Sequence, residues 1–433
     1  MGEQHSTAPV MPAGNARWVR LIPIAMIIYV ISFMDRTNIS YAFAGIGQDF
    51  GVTKEQQGLA AGIFFVGYVL LQIPGGYLAE RWSAKKFIGI MILVWGVCAV
   101  ACGLVQSFNQ LIVVRFFLGV AEGGVWPATL VLLSHWFPVQ ERARAYSFWM
   151  ANLAIASIIT QPISGFIVSE TSWRTLFIIE GLLPFVIATP IWWLFVKDRP
   201  SEASWVTPEE LHYIESTIAR DKLTEPAPVR FVDIFSSGVV WQLVIVYFLV
   251  QVGFYGLNLW LPTVVKNLTN QGFGLVGVIS ALPYITAIAC MWLNGSAADK
   301  SGKYPRHVLI PMAVAACSLV LSVMVGSTSQ ILSIAFLCLA MGGALAYDGP
   351  FWAAASRAMP AAVVGGAMGF INALGNLGGY LGPYLAGYLQ DKSGDFFTTA
   401  FLLAASLLLA GLFMMTVRIR AEGAAATPMS ARI

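Results

Sequence analysis

Four charged residues stand inside long apolar stretches: Asp35 and Arg36 in ISFMDRTNISYA, and Arg115 and Glu122 in RFFLGVAEGGVWPA. Placing a charge at the centre of a bilayer costs roughly 2.5–3.5 kcal/mol on insertion scales. Residues kept at such a cost are candidates for function. Arg115 and Glu122 are seven positions apart, about two helical turns, so both project from one face. Gly119 between them lets a neighbouring helix approach closely. Asp35 and Arg36 are adjacent and diverge by about 100° around a helix axis. One can face a cavity while the other pairs sideways. The four sum to zero charge, so they can neutralise one another while the site is empty. A static ion-pair network stitching two helices is the competing explanation. Buried pairs, however, stabilise poorly compared with apolar packing.

These residue types suit proton-coupled transport of an organic anion. A planar guanidinium binds a carboxylate in bidentate fashion. Desolvation favours the neutral form of a carboxyl group, and a nearby arginine favours the ionised form. An anion arriving at the arginine weakens that second effect. Substrate binding and proton uptake are then linked without further machinery.

The elements that must position these groups are membrane spans. Of 433 residues, 58% are hydrophobic and only 11% charged, against about 25% charged in soluble proteins. Mean hydropathy is +0.73. A soluble globular protein and a disordered chain are both excluded. The net charge of +3 gives no reason to expect a nucleic-acid partner. At about 20 apolar residues per helix, the first half offers spans at 18–43, 57–79, 86–105, 109–134, 143–168 and 174–196. The second half offers 238–262, 273–298, 308–326, 330–356, 364–390 and 395–417. The expected fold is an all-α membrane protein of twelve transmembrane helices. With the N-terminus cytoplasmic, 19 of the 25 lysines and arginines fall inside, and only Lys54, Arg174, Lys266 and Lys392 fall outside. The positive-inside rule therefore expects both termini in the cytoplasm. The first apolar run is too long for a cleaved signal peptide and is expected to remain as an anchor.

A polar connector divides six spans from six. The expected organisation is a disordered tail at 1–16, a six-helix bundle at 17–196, a cytoplasmic linker at 197–237, a second bundle at 238–418 and a tail at 419–433. Within the linker, Thr207 to Arg220 reads as a short amphipathic helix. An internal repeat supports the division. GYLAERWSAKK starts at Gly76 and GSAADKSGK starts at Gly295. Both carry an acid at +4 (Glu80, Asp299) and a base at +5 (Arg81, Lys300), and Gly302 follows in the second copy. Two six-span halves of this kind place a substrate site near the midplane between them.

Further polar residues lie where such a site would be. Asn372 and Asn376 are four apart in a glycine-rich span and share one face. Their amides suit the hydroxyls of a polyol acid or bonds between helices. Tyr347, Asp348 and Trp352 surround a Gly349-Pro350 break. Asp348 reads either as a titrating group or as a helix cap. Gln251, Tyr255 and Asn258 share a face of span seven, beside Trp260, and Gln161 precedes Pro162 in span five. Glu180 in span six reads as structural.

The loop repeat resembles the G-x-x-x-D-R-x-G-R-R signature of the major facilitator superfamily. Glu80, Ser83 and Ala84 depart from it in the first copy, while Asp299 and Gly302 keep it in the second. The resemblance implies two pseudo-symmetric six-helix halves, with Gly76, Glu80, Arg81, Asp299, Lys300 and Gly302 in gating loops. DRTNIS, RFFLGVAEGGVWPA, HWFP and WRTLFIIEGLLP resemble the anion:cation symporter family within it, over about residues 17–418. Its members carry hexonates, hexuronates, tartrate, phthalate and related acids. By position the resemblance implies Asp35 and Glu122 as proton sites. It implies Arg36 and Arg115 as their charge partners, with Arg36 the better carboxylate contact. It also brings Tyr68 and Asn372 to the site. The short outer loop at 44–56 differs from the long glycosylated loop of animal relatives and points to a bacterial inner membrane.

Enzymatic readings fail on context. GFGLVG at 272–277 has the form of a dinucleotide loop but follows no strand. The four histidines are scattered, and there is no P-loop lysine, HExxH or GxSxG. The five cysteines lie in apolar runs without metal or disulfide spacing. The expectation is a secondary transporter, monomeric, without cofactor or metal, importing an organic carboxylate, foremost a sugar acid, with protons. An aromatic or dicarboxylic acid substrate, an exchanger or uniporter, and a membrane sensor are the alternatives.

Overall fold

A bilayer demands that every backbone polar group be bonded within the protein, and the described residues meet that demand with helices alone. The structure is a computed structural model that describes residues 14–150, 152–224, 234–359 and 361–417. The expected tails at 1–16 and 419–433 therefore lie almost wholly outside the described residues, as does 225–233 of the linker.

Ten helical stretches are long and apolar enough to cross a membrane. One of them, Lys54–Leu104, has 51 residues and as a single rod would measure about 77 Å, more than twice a bilayer core of about 30 Å. The chain instead forms α3 (Lys54–Leu78) and α4 (Ala84–Leu104), joined by a π-helical turn at Ala79–Ser83. Ser83 is extended there (φ −173°, ψ 122°) and caps α4 by accepting from the Lys86 N–H. The next helix packs on both. The eleventh crossing is broken into two shorter helices, Ala361–Gly375 of 15 residues and Gly378–Ser393 of 16. Counting both corrections gives the twelve crossings that the apolar pattern predicts.

The first and fourth crossings are interrupted beside their charged residues. The first consists of α1 (Ala16–Thr37) and α2 (Ile39–Phe50), parted at Asn38. The fourth consists of α5 (Phe108–Gly123) and α6 (Val125–Trp136), parted at Gly124. The described residues of the fifth are α7 (Val139–Met150) and α8 (Asn152–Glu170). The sixth runs through α9 (Trp173–Leu183) and α10 (Thr189–Phe195). The amphipathic helix expected in the linker is α11 (Pro208–Thr224). It is tied to the first half. The buried Arg17 guanidinium donates to Glu210 at 2.7 Å and to Glu141 at 2.6 Å, and Trp205 stacks on Trp136.

The second half comprises α12 (Gly238–Thr269), α13 (Phe273–Ser301), α14 (Tyr304–Val325), α15 (Gln330–Ala346), α16 (Asp348–Ala358), α17 (Ala361–Gly375), α18 (Gly378–Ser393) and α19 (Phe397–Met414). Tyr347 parts α15 from α16.

The halves meet along two extensive seams, α3 with α18 and α8 with α13. Both are lined by glycine. A Cβ at Gly62 would lie 2.6 Å from the Tyr380 carbonyl oxygen, and one at Gly165 would lie 2.5 Å from the Phe273 oxygen. Helices this close need residues without side chains. The first seam is also locked by charge. The Asp391 carboxylate accepts the Lys54 and Glu55 backbone N–H groups at 3.1 and 2.7 Å, at the positive N-terminus of α3. Tyr384 donates to Glu55 at 2.7 Å.

The repeat loops lie elsewhere and are exposed. Arg81 rests over the Tyr77 ring, and Asp299 accepts from Tyr304. None of the ion pairs among the described residues involves Glu80, Arg81, Asp299 or Lys300. Gly302 has φ +64° and ends α13 in the left-handed conformation that favours glycine.

Candidate substrate and proton site

The interruption of the first crossing frees backbone carbonyls in an apolar interior, where each must find a donor. Arg115 supplies it. Its Nη1 donates to the Asp35 carbonyl at 3.1 Å, its Nη2 to the Arg36 carbonyl at 3.3 Å and its Nε to the Ala60 carbonyl at 3.4 Å. Arg115 is 0% exposed and does not line the cavity described below. The sequence expectation makes Arg115 a charge partner of the buried acids; its hydrogen bonds go instead to the backbone at the helix break, which this guanidinium clamps. Gly119 serves as expected, since a Cβ there would strike the Phe64 backbone of α3.

Asp35 and Arg36 diverge as their adjacency requires. Asp35 turns into the first half, and both of its carboxylate oxygens are buried without a hydrogen-bond partner. The Trp95 indole lies alongside it, outside hydrogen-bond geometry. Arg36 turns to the interface. Its Nη2 donates to Glu122 Oε2 at 3.2 Å and its Nη1 to the Tyr255 hydroxyl of the other half at 3.4 Å. Ser32 donates to the same Glu122 oxygen at 2.8 Å. The Arg36 guanidinium lies 4.8 Å from the Tyr68 ring centroid and 5.3 Å from that of Phe64. Arg36 Nε and Glu122 Oε1 have no partner.

A cavity of about 70 Å³ opens at this point between the halves. Of the expected site residues, Arg36, Tyr68, Tyr255, Asn372 and Asn376 line it, and Glu122 stands in a smaller recess beside it. The amides form one network. Asn372 donates to Gln72 at 2.9 Å across the two halves and accepts from Tyr247, while Asn376 accepts from Gln251 and donates to the Asn372 carbonyl. Asp348 lines the cavity and accepts the Trp352 indole N–H at 3.1 Å. Trp352 packs behind it against Tyr247.

Trp352, Gln161, Asn258 and Asp35 are expected residues that are not in this lining. Gln161 accepts from Tyr41 at 2.6 Å at the α8–α13 seam. Asn258 is buried with both amide atoms unpartnered. Asp35 lies within the first half. Glu180, read as structural, accepts from Ser164 at 2.7 Å and ties α8 to α9.

The sequence reading missed Tyr29, Ser32, Trp126, Trp149 and Tyr247, which line the cavity or its recess. Tyr29 and Ser32 were within reach of it. They lie seven and four residues before Arg36, on the face that Arg36 projects from. The two tryptophans had no such signal among so many apolar neighbours.

Twelve crossings in two seamed halves around a central polar cavity are an architecture that comparison can place. The family model described as Major Facilitator Superfamily matches residues 25–383. The chain belongs to that superfamily. It is a multi-pass membrane transporter and not an enzyme. Relatives include a putative tartrate transporter of Agrobacterium vitis, 30% identical over 92% of this chain and 89% of that protein. The inner membrane transport protein RhmT of Escherichia coli (strain K12) is 30% identical over 96% of this chain and 97% of its own. Among solved structures, a D-xylose-proton symporter superposes with a TM-score of 0.75 at 15% identity, covering 93% of this chain and 98% of that one. That likeness speaks for the superfamily fold alone.

Proposed function

We propose that this transporter imports an organic carboxylate together with protons by alternating access across an inner membrane, with both termini cytoplasmic. The favoured substrate is a sugar acid such as a hexonate or hexuronate. The observation that carries the proposal is the Arg36–Glu122 pair at the cavity wall, 3.2 Å apart, with one nitrogen and one oxygen left unpartnered. A substrate carboxylate that docks on Arg36 competes with Glu122 for the guanidinium. Glu122 released from its cation in a dry site takes a proton. Asp35 serves as a second proton site, because a carboxylate buried without a partner is costly as an anion. The Asn372–Asn376–Gln251 amides present the donors and acceptors that hydroxyls need.

In this reading the halves at 17–196 and 238–418 rock about the site, with 197–237 joining them. The α3–α18 and α8–α13 seams close the outer end, and the repeat loops close the inner end in the alternate state. The Agrobacterium vitis relative, described as a tartrate transporter, agrees with an organic anion as cargo. An aromatic acid is the second reading, because eight of the sixteen residues around the cavity are aromatic.

Proteoliposomes test the proposal directly. Adding a hexonate to one side should make that side more alkaline as protons enter with it. Uptake of labelled hexonate with no pH change in the medium would overturn proton coupling and favour exchange or uniport.

A further inference from the structure

Two charged residues line the cavity, one from each half: Arg36 and Asp348. The Arg36 charge is already engaged by Glu122. Asp348 takes part in none of the ion pairs among the described residues. It is the first residue of α16, directly after the N-cap Tyr347, and its bond is to a side chain and not to backbone. Its Oδ1 accepts the indole N–H of Trp352, one turn along the same helix, at 3.1 Å. That bond fixes the rotamer and leaves the carboxylate without a counter-cation at the cavity wall. The amides around it, Asn372, Asn376 and Gln251, are bonded to one another.

We infer that Asp348 is the second pole of the cavity and selects carboxylates whose far end carries a hydrogen-bond donor or a positive charge, against dicarboxylates. The inference rests on the proposed reading that Arg36 takes the substrate carboxylate. With one carboxylate on Arg36, the far end of a ligand that fills this small cavity comes to Asp348. A hydroxyl or ammonium there makes a charge-assisted hydrogen bond. A second carboxylate there sets two like charges against each other in a site of low dielectric, which discriminates strongly.

Two matched ligand pairs test it by calorimetry on the purified full-length protein: a hexonate against the hexarate of the same sugar, and 4-(aminomethyl)benzoate against terephthalate. Within each pair only the far end changes. The wild type is expected to prefer the first member by at least about tenfold. Asp348→Asn should bring the ratio close to one, Asp348→Ser should repeat that result as a second neutral variant, and Asp348→Glu should keep the preference. A preference unchanged in Asp348→Asn and Asp348→Ser, or a wild type that binds the dicarboxylates equally well, overturns the inference. Failures of the underlying reading look different. If only the benzoate pair binds and keeps its ratio, the sugar-acid reading falls and the second pole stands. If Arg36→Lys leaves all four affinities unchanged, the carboxylate assignment and the second pole fall together.

Discussion

On the side of the cavity built by α1, α3 and α5, ions stand beside the Tyr29 and Tyr68 phenols: Arg36 at the wall, Glu122 beside it, and Asp35 and Arg115 behind. On the side built by α12, α16 and α17, the polar groups are phenols and amides, with Asp348 the one acid in the lining. In the proposed function the first side moves charge, its pair exchanging partners when an anion arrives, and the second side reads shape and hydroxyls through amides held by one another, by Tyr247 and by Gln72 of the first half. Division of labour between halves also separates the effects expected of mutation. Changes in the first half should alter coupling, and changes in the second should alter affinity and selectivity.

The largest effect should come from Arg36. Arg36→Lys removes the fork that binds a carboxylate in bidentate fashion and should lower uptake by about 100-fold, measured with labelled substrate in proteoliposomes. Retained uptake would show that Arg36 does not hold the substrate carboxylate. Arg115→Lys is the counterpart, since Arg115 is also buried but spends its donors on backbone carbonyls. Leaving those carbonyls unbonded should cost about 3 kcal/mol or more, read as a lower melting temperature, with substrate affinity nearly unchanged in the protein that stays folded. In the second half, Asn376→Ala should weaken substrate binding by about tenfold, with the number of protons per substrate unaltered. The smallest effect belongs to the seam. Asp391→Asn removes a carboxylate from the α3 N-terminus, worth about 0.3–1 kcal/mol. Distances between spin labels on the two halves should then show a few-fold shift away from the state sealed at α3–α18.

The spans were legible because a bilayer allows so few solutions. Even the corrections are small, such as α12 continuing to Thr269 beyond an expected end at 262. The charged residues were legible as a set for the same reason, since charge is conspicuous in apolar sequence. Their individual roles were not. Arg36 and Arg115 look alike in sequence. What separates them is the interruption at Asn38, whose freed carbonyls claim one arginine and leave the other to the cavity. Gln161 was singled out as a polar residue in a span, but closeness of α8 to α13 puts it in a seam. Trp126 and Trp149 were invisible because apolar periodicity does not tell a lipid-facing ring from a cavity wall.

Glu122→Gln isolates the proposed exchange of partners at Glu122. The measurement is accumulation of labelled substrate in proteoliposomes under an imposed proton gradient, beside counterflow in vesicles preloaded with unlabelled substrate. Glu122→Gln should lose proton-driven accumulation and keep counterflow, because the amide can no longer carry the proton while Arg36 still holds the carboxylate. Full accumulation in Glu122→Gln would contradict that exchange.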